Sequence, residues 1–331
     1  MSIQYFYRSL LLACSLLLAF PLLARHIVGG EMTYECLGLD AAQPQNHRYR
    51  FTMIVYRDCS ADGTNNQGAG FDSDPNTPSA PTTGTVTIYL GNETIPLITT
   101  IELAVPIVSQ VLPDIGNPCL VVPPGICVQR GDYVFEVSLP ISTQPYTIVY
   151  QRCCRNPTIT NLVNPDDVGA SYFVTLTPDA QRLCNNSPVF DNFPPIVLCA
   201  NELFELPMGA TDADGDRLVY YLCSPVEGGG NDLTPGNPGD NNTFDDVAPN
   251  PDRFPPYASV FFRAPYTAQA PLGPGANFIY QDSTGLLSGS PPFLGQFVVG
   301  ICIDEFRGDT LLSTTKREFQ FNVTSCARTV L

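Results

Sequence analysis

The feature that most limits the fold of this chain is a period of two in its apolar residues. Tyr49, Phe51 and Met53 alternate with the polar Arg50 and Thr52, as they do in a strand with one buried face. Further candidate strands cover residues 32–37, 47–59, 85–90, 99–105, 133–139, 146–150, 172–176, 203–208, 218–223, 258–262, 278–281, 297–303 and 319–323. The chain also contains 32 Pro and 26 Gly residues, which interrupt helices. The pattern therefore predicts an all-β protein with no helix after residue 24.

The spacing of these strands predicts two domains. The first series of strands ends near residue 176, and a second begins near residue 199, with the Pro-containing segment 190–195 between them. Regularly spaced short strands are typical of β-sandwiches. We expect two tandem Ig-like or cadherin-like β-sandwich domains stapled by disulfides, at residues 25–197 and 198–326, followed by a tail at 327–331.

The N-terminus predicts export. A short basic start, residues 1–8, precedes an apolar run at residues 9–24, which is typical of a signal peptide. We expect cleavage after Ala24, so that residues 1–24 are removed and the protein is secreted or displayed at the cell surface. The lipobox-like string that ends at Cys14 offers the alternative of a lipoprotein. No second apolar run is long enough to predict a transmembrane span.

The cysteines agree with an exported protein, because disulfides persist outside the cytosol. Twelve Cys are present, and eleven remain after Cys14 leaves with the signal peptide. Neighbouring residues of a strand point to opposite faces, so Cys153 and Cys154 should bridge to different strands. We expect one of these two cysteines to bond to Cys36 and the other to Cys59. The other expected bridges are Cys119–Cys127, Cys223–Cys302 and Cys184–Cys199, which leave Cys326 unpaired. Other connectivities remain open.

Charge and histidine content argue against several classes of function. The formal net charge is −16, and Lys316 is the only lysine, so such a surface repels a nucleic-acid backbone. His26 and His47 are the only histidines; the first lies beside the predicted signal peptide and the second at a strand start among arginines, which argues against a Ser–His or Cys–His nucleophile. The absence of a CxxC pair excludes a zinc ribbon or finger. We therefore do not expect an enzyme, and a hydrolase that uses paired carboxylates is kept only as an alternative.

The strongest chemical signal is an acidic stretch at residues 210–218. Asp212, Asp214 and Asp216 alternate around Gly215, and three carboxylates in a tight bend can converge on one hard cation such as Ca²⁺. The competing interpretation is an Asx turn between two strands, since Asp and Gly are favoured there in any case. We expect a calcium site, with the turn as the alternative.

Two segments of the second half resemble cadherin-like and immunoglobulin-like repeats of bacterial surface proteins. One is the acidic stretch at 210–216, and the other is residues 282–291, which lead to the strand that starts at Gly295. The resemblance implies a hairpin before the penultimate strand. It also implies a further acidic ligand after that strand, at Asp304 or Glu305.

The chain as a whole resembles the N-terminal region of large secreted, gliding motility-associated proteins of the Bacteroidetes. The strings that carry the resemblance are residues 26–34, 56–59, 151–156 and 185–190. Members of that family continue into further repeats and a C-terminal sorting domain, whereas this sequence stops at Leu331. The resemblance implies type IX secretion and a role at the cell surface in adhesion or motility.

These observations favour an extracellular adhesion or structural module whose partner is an extracellular protein or a polysaccharide. A carbohydrate-recognition module is the alternative in the binding class. The chain has no Trp, the best residue for stacking on sugars, although its 15 Tyr can present aromatic faces.

Overall fold

The computed structural model describes residues 27–59, 70–75, 83–91, 97–112, 120–121, 126–152, 155–195, 197–228 and 255–328. The predicted signal peptide lies outside these residues, as do Cys14, Cys119, Cys153, Cys154 and most of the loops 60–83 and 224–256. Within the described residues, strands account for nearly all of the regular secondary structure. The predicted all-β, sandwich-like fold is confirmed.

The largest sheet has eight strands. Seven follow the order β14 (Arg217–Cys223), β17 (Gly295–Arg307), β18 (Thr310–Thr324), β1 (Ile27–Leu39), β2 (Asn46–Asp58), β7 (Val128–Pro140) and β5 (Ile107–Val111). The eighth, β11 (Val197–Cys199), runs parallel to the end of β18. The other neighbours in this sheet are antiparallel.

Four smaller sheets complete the described structure. A four-stranded sheet has the order β4 (Leu97–Glu102), β3 (Thr85–Leu90), β8 (Tyr146–Arg152) and β9 (Ala170–Leu176), and a three-stranded sheet has the order β12 (Phe204–Pro207), β16 (Leu286–Gly289) and β15 (Ile279–Tyr280). The two-stranded sheets pair β10 (Val189–Phe190) with β13 (Ala210–Thr211), and β6 (Leu120–Val121) with β19 (Ala327–Arg328).

The two largest apolar cores lie on opposite faces of the eight-stranded sheet. The first core draws its buried residues from positions 32–176 and packs β1, β2 and β7 against the four-stranded sheet. The second draws on positions 190–323 and packs β14, β17 and β18 against the three-stranded sheet. Met32 of β1 contributes to the first core, whereas Phe319, which pairs with Gly29, contributes to the second. Side chains alternate between faces along a strand, so the two cores occupy different faces.

The sheet is continuous between the two halves because the first described strand pairs with the last long one. Gly29, Gly30 and Glu31 of β1 pair with residues 317–319 of β18. We call this junction the β1–β18 seam. The predicted boundary between the tandem sandwiches lies near residue 197, and this shared sheet joins the parts of the chain on its two sides. All residues of the first core precede that boundary, and the residues of the second core follow it except Phe190.

Two glycines of β1 permit close approach of its neighbours, Gly29 to β18 at the seam and Gly30 to β2 and β9. A Cβ on Gly29 would lie 2.3 Å from the carbonyl oxygen of Glu318 and 2.7 Å from the Cα of Phe319. A Cβ on Gly30 would lie 2.9 Å from the carbonyl oxygen of Ile54 and 3.0 Å from the ring of Tyr172. The Gly–Gly pair thus has a packing role.

Buried ion pairs fasten both faces of the seam. Arg317 Nη2 donates to Glu31 Oε1 at 2.6 Å, and Arg317 Nη1 donates to the carbonyl oxygen of Asn192 at 2.6 Å. On the other face, Arg155 Nη2 donates to Glu318 Oε2 at 3.0 Å and to the carbonyl oxygen of Val226 at 2.9 Å. Both pairs are almost completely buried, and their guanidinium groups have further hydrogen bonds that offset the loss of hydration.

The structure corrects two predictions of secondary structure. A short helix, α1 (Pro178–Leu183), is present although no helix was expected. Thr177 caps it by accepting a hydrogen bond from the backbone N–H of Ala180 at 3.1 Å, as Ser and Thr do at helix starts. Residues 258–262 form only isolated bridges at Ser259 and Phe262 instead of a strand, because the prolines that flank this segment cannot donate to a ladder.

Within the described residues there are four disulfides, and three of them differ from the predicted pairs. Cys36 bonds to Cys184 because α1 returns the chain to β1, and Cys59 bonds to Cys127 because β2 and β7 place them opposite each other. Cys199 bonds to Cys326 at the ends of the parallel strands β11 and β18. The predicted Cys223–Cys302 bridge is confirmed. The predicted bridges from Cys36 and Cys59 to Cys153 or Cys154, Cys119–Cys127, Cys184–Cys199 and the leftover Cys326 are therefore wrong.

Candidate functional site

The acidic stretch folds as a tight loop between β13 and β14. Asp212 Oδ1 accepts hydrogen bonds from the backbone N–H of Asp214 at 3.1 Å and of Asp216 at 2.7 Å. Gly215 has a φ of +78°, in the left-handed region that glycine adopts readily. The Asx turn that the sequence offered as an alternative is therefore present. It uses one oxygen of Asp212 and leaves the other available.

The Asp214 carboxylate binds the segment that follows α1. Its two carboxylate oxygens accept hydrogen bonds from the backbone N–H of Asn186 at 2.8 Å and from Asn186 Nδ2 at 3.1 Å. Asn186 Oδ1 in turn accepts from the backbone N–H of Cys36 on β1 at 2.9 Å. The loop of the second half is thereby linked to the first strand of the chain.

Glu305 reaches the loop from β17 and is fully buried. Its Oε2 accepts hydrogen bonds from Asn185 Nδ2 at 3.0 Å and from the Ser313 hydroxyl. The pairing of β17 with β18 shifts register between Glu305 and Phe306, and such irregularities re-aim side chains. Its neighbour Asp304 points elsewhere, accepting from the Tyr221 hydroxyl at 3.1 Å and the Thr314 hydroxyl at 2.7 Å.

Three carboxyl groups therefore converge at one point, those of Asp212, Asp216 and Glu305. Oxygen atoms of the three lie within 4.8 Å of one another. We call these residues the acidic cluster. Asp212 Oδ2 and Glu305 Oε1 are buried and have no hydrogen-bond partner among the described residues. Both atoms are hydrogen-bond acceptors without a donor. A cation or a proton between them would supply the partner that each oxygen lacks.

Arg307 closes one side of the acidic cluster. Its Nε and Nη2 donate to the two oxygens of Asp216 at 2.8 and 2.6 Å, and Nη2 also donates to Asn185 Oδ1 at 3.2 Å. Its Nη2 lies 3.5 Å from Asp214 Oδ2. Arg217, the base nearest in sequence, instead places its guanidinium carbon 4.6 Å from the centre of the Phe306 ring.

The surroundings shift the pKa values of Asp216 and Glu305 in opposite directions. The hydrogen bond from Arg307 holds the pKa of Asp216 below its ordinary value. Burial raises the pKa of Glu305 to about 8, against the lowering effect of its hydrogen bonds from Ser313 and Asn185, and the charge of Asp212 adds to the rise. A buried carboxyl beside other carboxylates favours its neutral form unless a cation enters.

The acidic cluster fits a hard cation in part. Three of the five predicted ligands converge, Asp212, Asp216 and Glu305, and two of their oxygens are unsatisfied. Asp214 and Asp304 are bound to other groups. Calcium takes six to eight oxygens at about 2.3–2.6 Å, so water would have to complete the shell.

The sequence predictions missed Arg307, Asn185 and Ser313, although each contacts the acidic cluster or Glu305. Arg307 lies two residues after Glu305, which is the spacing of side chains on one face of a strand. That spacing was the available signal. Asn185 and Ser313 gave none, because their approach depends on α1 and on the β17–β18 hairpin.

A second group with metal-binding residue types consists of Cys36, Cys184 and His47. Its two sulfurs form a disulfide, so they have no thiolate to offer a metal. His47 Nδ1 lies 2.9 Å from the carbonyl oxygen of Gln181, which fixes the ring against α1.

In comparisons with family models, with curated proteins and with solved structures, nothing matches this chain. In the part of the chain that the structure describes, no helix has the length and apolar character needed to cross a membrane.

Proposed function

We propose that the chain is an exported structural or adhesion module that works outside the cytoplasm or at the cell surface. The observation that carries the proposal is the set of four disulfides found among the residues that the structure describes. Disulfides of this number are typical of proteins from oxidising compartments. The apolar run at residues 9–24 supports the same conclusion, because it has the form of a signal peptide.

The arrangement of the disulfides suits a module that bears load. Two bridges join residues of the first half, and two join residues of the second. Each bridge restricts the unfolded chain and contributes roughly 2–4 kcal/mol to the free energy of unfolding. Between the halves, the β1–β18 seam continues the sheet. A force applied across the module is therefore resisted by a hydrogen-bonded sheet instead of a flexible linker.

We further propose that calcium stabilises the acidic loop. The two unsatisfied oxygens of the acidic cluster, on Asp212 and Glu305, support this part of the proposal. The loop contacts Asn186, which contacts β1, so a cation bound there would strengthen the junction between the halves. The partner of the module would be an extracellular protein or a polysaccharide. Loops at the ends of the two sandwiches would bind it.

The location is tested in cells that produce the complete chain. An antibody against the folded protein should label intact cells or bind material in the medium, and that material should start near Arg25. Its non-reducing digest should contain the Cys199–Cys326 pair. Protein confined to the cytoplasm with reduced cysteines would overturn the proposal.

Adhesion is tested with beads coated with the secreted protein. Under flow, coated beads should remain on cell-surface polysaccharide or on extracellular protein from the same cells longer than beads coated with the reduced and alkylated chain. Equal detachment of the two kinds of bead would leave a structural role without adhesion.

A further inference from the structure

Arg307 occupies the place from which a cation would otherwise bind Asp216. Its guanidinium group covers both oxygens of that carboxylate, at 2.8 and 2.6 Å. An Arg fork of this kind matches a carboxylate in geometry as well as in charge. The acidic cluster thus already contains one positive charge that belongs to the protein.

A calcium ion and this fork compete for the same oxygens. Calcium binds its oxygen ligands at about 2.3–2.6 Å. A guanidinium group bound to the same oxygens would lie close to the ion, and the two positive charges would repel each other. Glu305 Oε1 and Asp212 Oδ2 remain free of hydrogen bonds, so part of the site stays open while Arg307 is bound. Complete coordination by Asp216 requires Arg307 to turn away.

Arg307 is able to turn away. Its side chain is 37% exposed, whereas that of Asp216 is only 6% exposed. Arg307 is the last residue of β17 and precedes a turn at Gly308. The space around Gly308 is open, because no atom lies within 4 Å of where its Cβ would be. Movement of the Arg307 side chain into solvent would displace no core side chain.

We propose that Arg307 is a tethered competitor for the cation site, which holds the acidic loop closed without metal and leaves Asp216 when calcium binds. This inference rests on the calcium site of the proposed function. It deepens that function, because a built-in competitor lowers the affinity for calcium and keeps the loop folded when calcium is scarce. The junction would then bind calcium reversibly instead of depending on it to fold.

The experiment is a calorimetric titration of calcium chloride into the secreted protein, for the parent, Arg307→Gln and Arg48→Gln. Arg48, on β2, is the control, because it makes a surface ion pair with Glu136 on β7 and its replacement changes the net charge equally. We expect Arg307→Gln to bind calcium roughly 10- to 100-fold more tightly than the parent, the range that corresponds to loss of a hydrogen-bonded charged partner. Arg48→Gln should bind like the parent.

Three results would overturn the inference, and they are distinguishable. If the parent binds calcium and Arg307→Gln binds equally or less tightly, Arg307 is not a competitor, although the calcium site stands. If Arg48→Gln gains as much as Arg307→Gln, the effect is one of net charge alone. If neither the parent nor Arg307→Gln binds calcium, the calcium site of the proposed function fails as well.

Thermal unfolding provides a second readout, which also serves if Arg307→Gln folds poorly. In chelator, Arg307→Gln should melt below the parent, and saturating calcium should remove most of that difference. The milder Arg307→Lys keeps the charge but loses the fork, and we expect its affinity to lie between those of the parent and Arg307→Gln. A melting difference that calcium leaves unchanged in both variants would assign Arg307 a purely structural role and contradict the proposal.

Discussion

Arg317 and Glu318 are neighbours on β18, point to opposite faces of the shared sheet, and each forms a buried ion pair with the first half of the chain. Arg317 pairs with Glu31, and Glu318 pairs with Arg155. One dipeptide therefore fastens both faces of the β1–β18 seam. Because each partner would be buried without its counter-charge if the other were removed, these pairs make the junction sensitive to single substitutions.

The Arg317–Glu31 pair gives the first prediction. Arg317→Met should lower the free energy of unfolding by about 3–5 kcal/mol, since it leaves the Glu31 carboxylate buried and unpaired. Glu31→Gln combined with Arg317→Met should recover much of that loss. Urea denaturation of the four members of this cycle measures the coupling. Additive losses in the double variant would show that the two side chains do not interact.

The second prediction concerns close packing at the seam. Gly29→Ala places a methyl group against the backbone of Glu318 and Phe319, and we expect a loss of about 1–3 kcal/mol from overpacking. Gly308→Asn is the control, because Gly308 has open space around it and a φ of +65°, which Asn tolerates. If Gly29→Ala melts at the same temperature as the parent, β1 does not approach β18 as closely as described.

Sequence patterns identified most of the strands but not their neighbours. The alternation of Tyr49, Phe51 and Met53 shows which face of β2 is buried, because side-chain direction has a period of two. It does not reveal that Glu31 pairs with Arg317, since partner choice between distant strands depends on the whole topology. The wrong disulfide for Cys36 has the same origin, because its partner Cys184 is positioned by a helix of only six residues.

At the candidate site, the sequence predicted the acidic loop and Glu305. It did not predict which carboxylates converge and which bind other parts of the protein. Asp214 and Asp304 are diverted by Asn186 and Tyr221, which lie far from them in sequence. Arg307 supplies an internal counter-charge that the spacing of the acids alone does not reveal.

The third prediction is the pattern of disulfides. A non-reducing digest analysed by mass spectrometry should contain Cys36–Cys184, Cys59–Cys127, Cys199–Cys326 and Cys223–Cys302. Replacing Cys199 and Cys326 together with Ala should cost about 2–5 kcal/mol, because that bridge closes a long loop. Cys153 and Cys154 stay predicted to serve different partners. A peptide that links either of them to Cys36 or Cys59 would contradict the structure.

The fourth prediction is a dependence of stability on pH that Glu305 causes. Its folded pKa of about 8 lies above the ordinary value of 4.5. The folded state therefore favours protonated Glu305. This contribution to the free energy of unfolding is complete below about pH 4.5 and is lost as the pH rises through 8. Asp216 acts in the opposite sense at lower pH, because its depressed pKa makes its contribution disappear as acid protonates it.

Melting curves in chelator between pH 5 and 9 measure this dependence. Glu305→Gln should flatten the fall in melting temperature, whereas Glu35→Gln, on an exposed side chain that pairs with Arg50, should leave it unchanged. An identical slope in the parent and in Glu305→Gln would exclude Glu305 as the cause.

The fifth prediction concerns calcium itself. Millimolar calcium should raise the melting temperature of the secreted protein above its value in chelator, by the mass-action effect of a ligand that binds only the folded state. Asp212→Asn should abolish most of the increase, because Asp212 Oδ2 faces the site. Asp304→Asn should retain it, since Asp304 contacts Tyr221 and Thr314 instead. Equal melting temperatures in calcium and chelator for the parent would contradict the site.

The central claim is that the two cores form one mechanical unit through the β1–β18 seam. Differential scanning calorimetry of the secreted protein with its disulfides intact tests this claim most directly. We predict one transition whose calorimetric enthalpy equals its van't Hoff enthalpy, which is the signature of cooperative unfolding. Two separate transitions, with the second unaffected by Gly29→Ala, would show that the halves unfold independently and would contradict the claim.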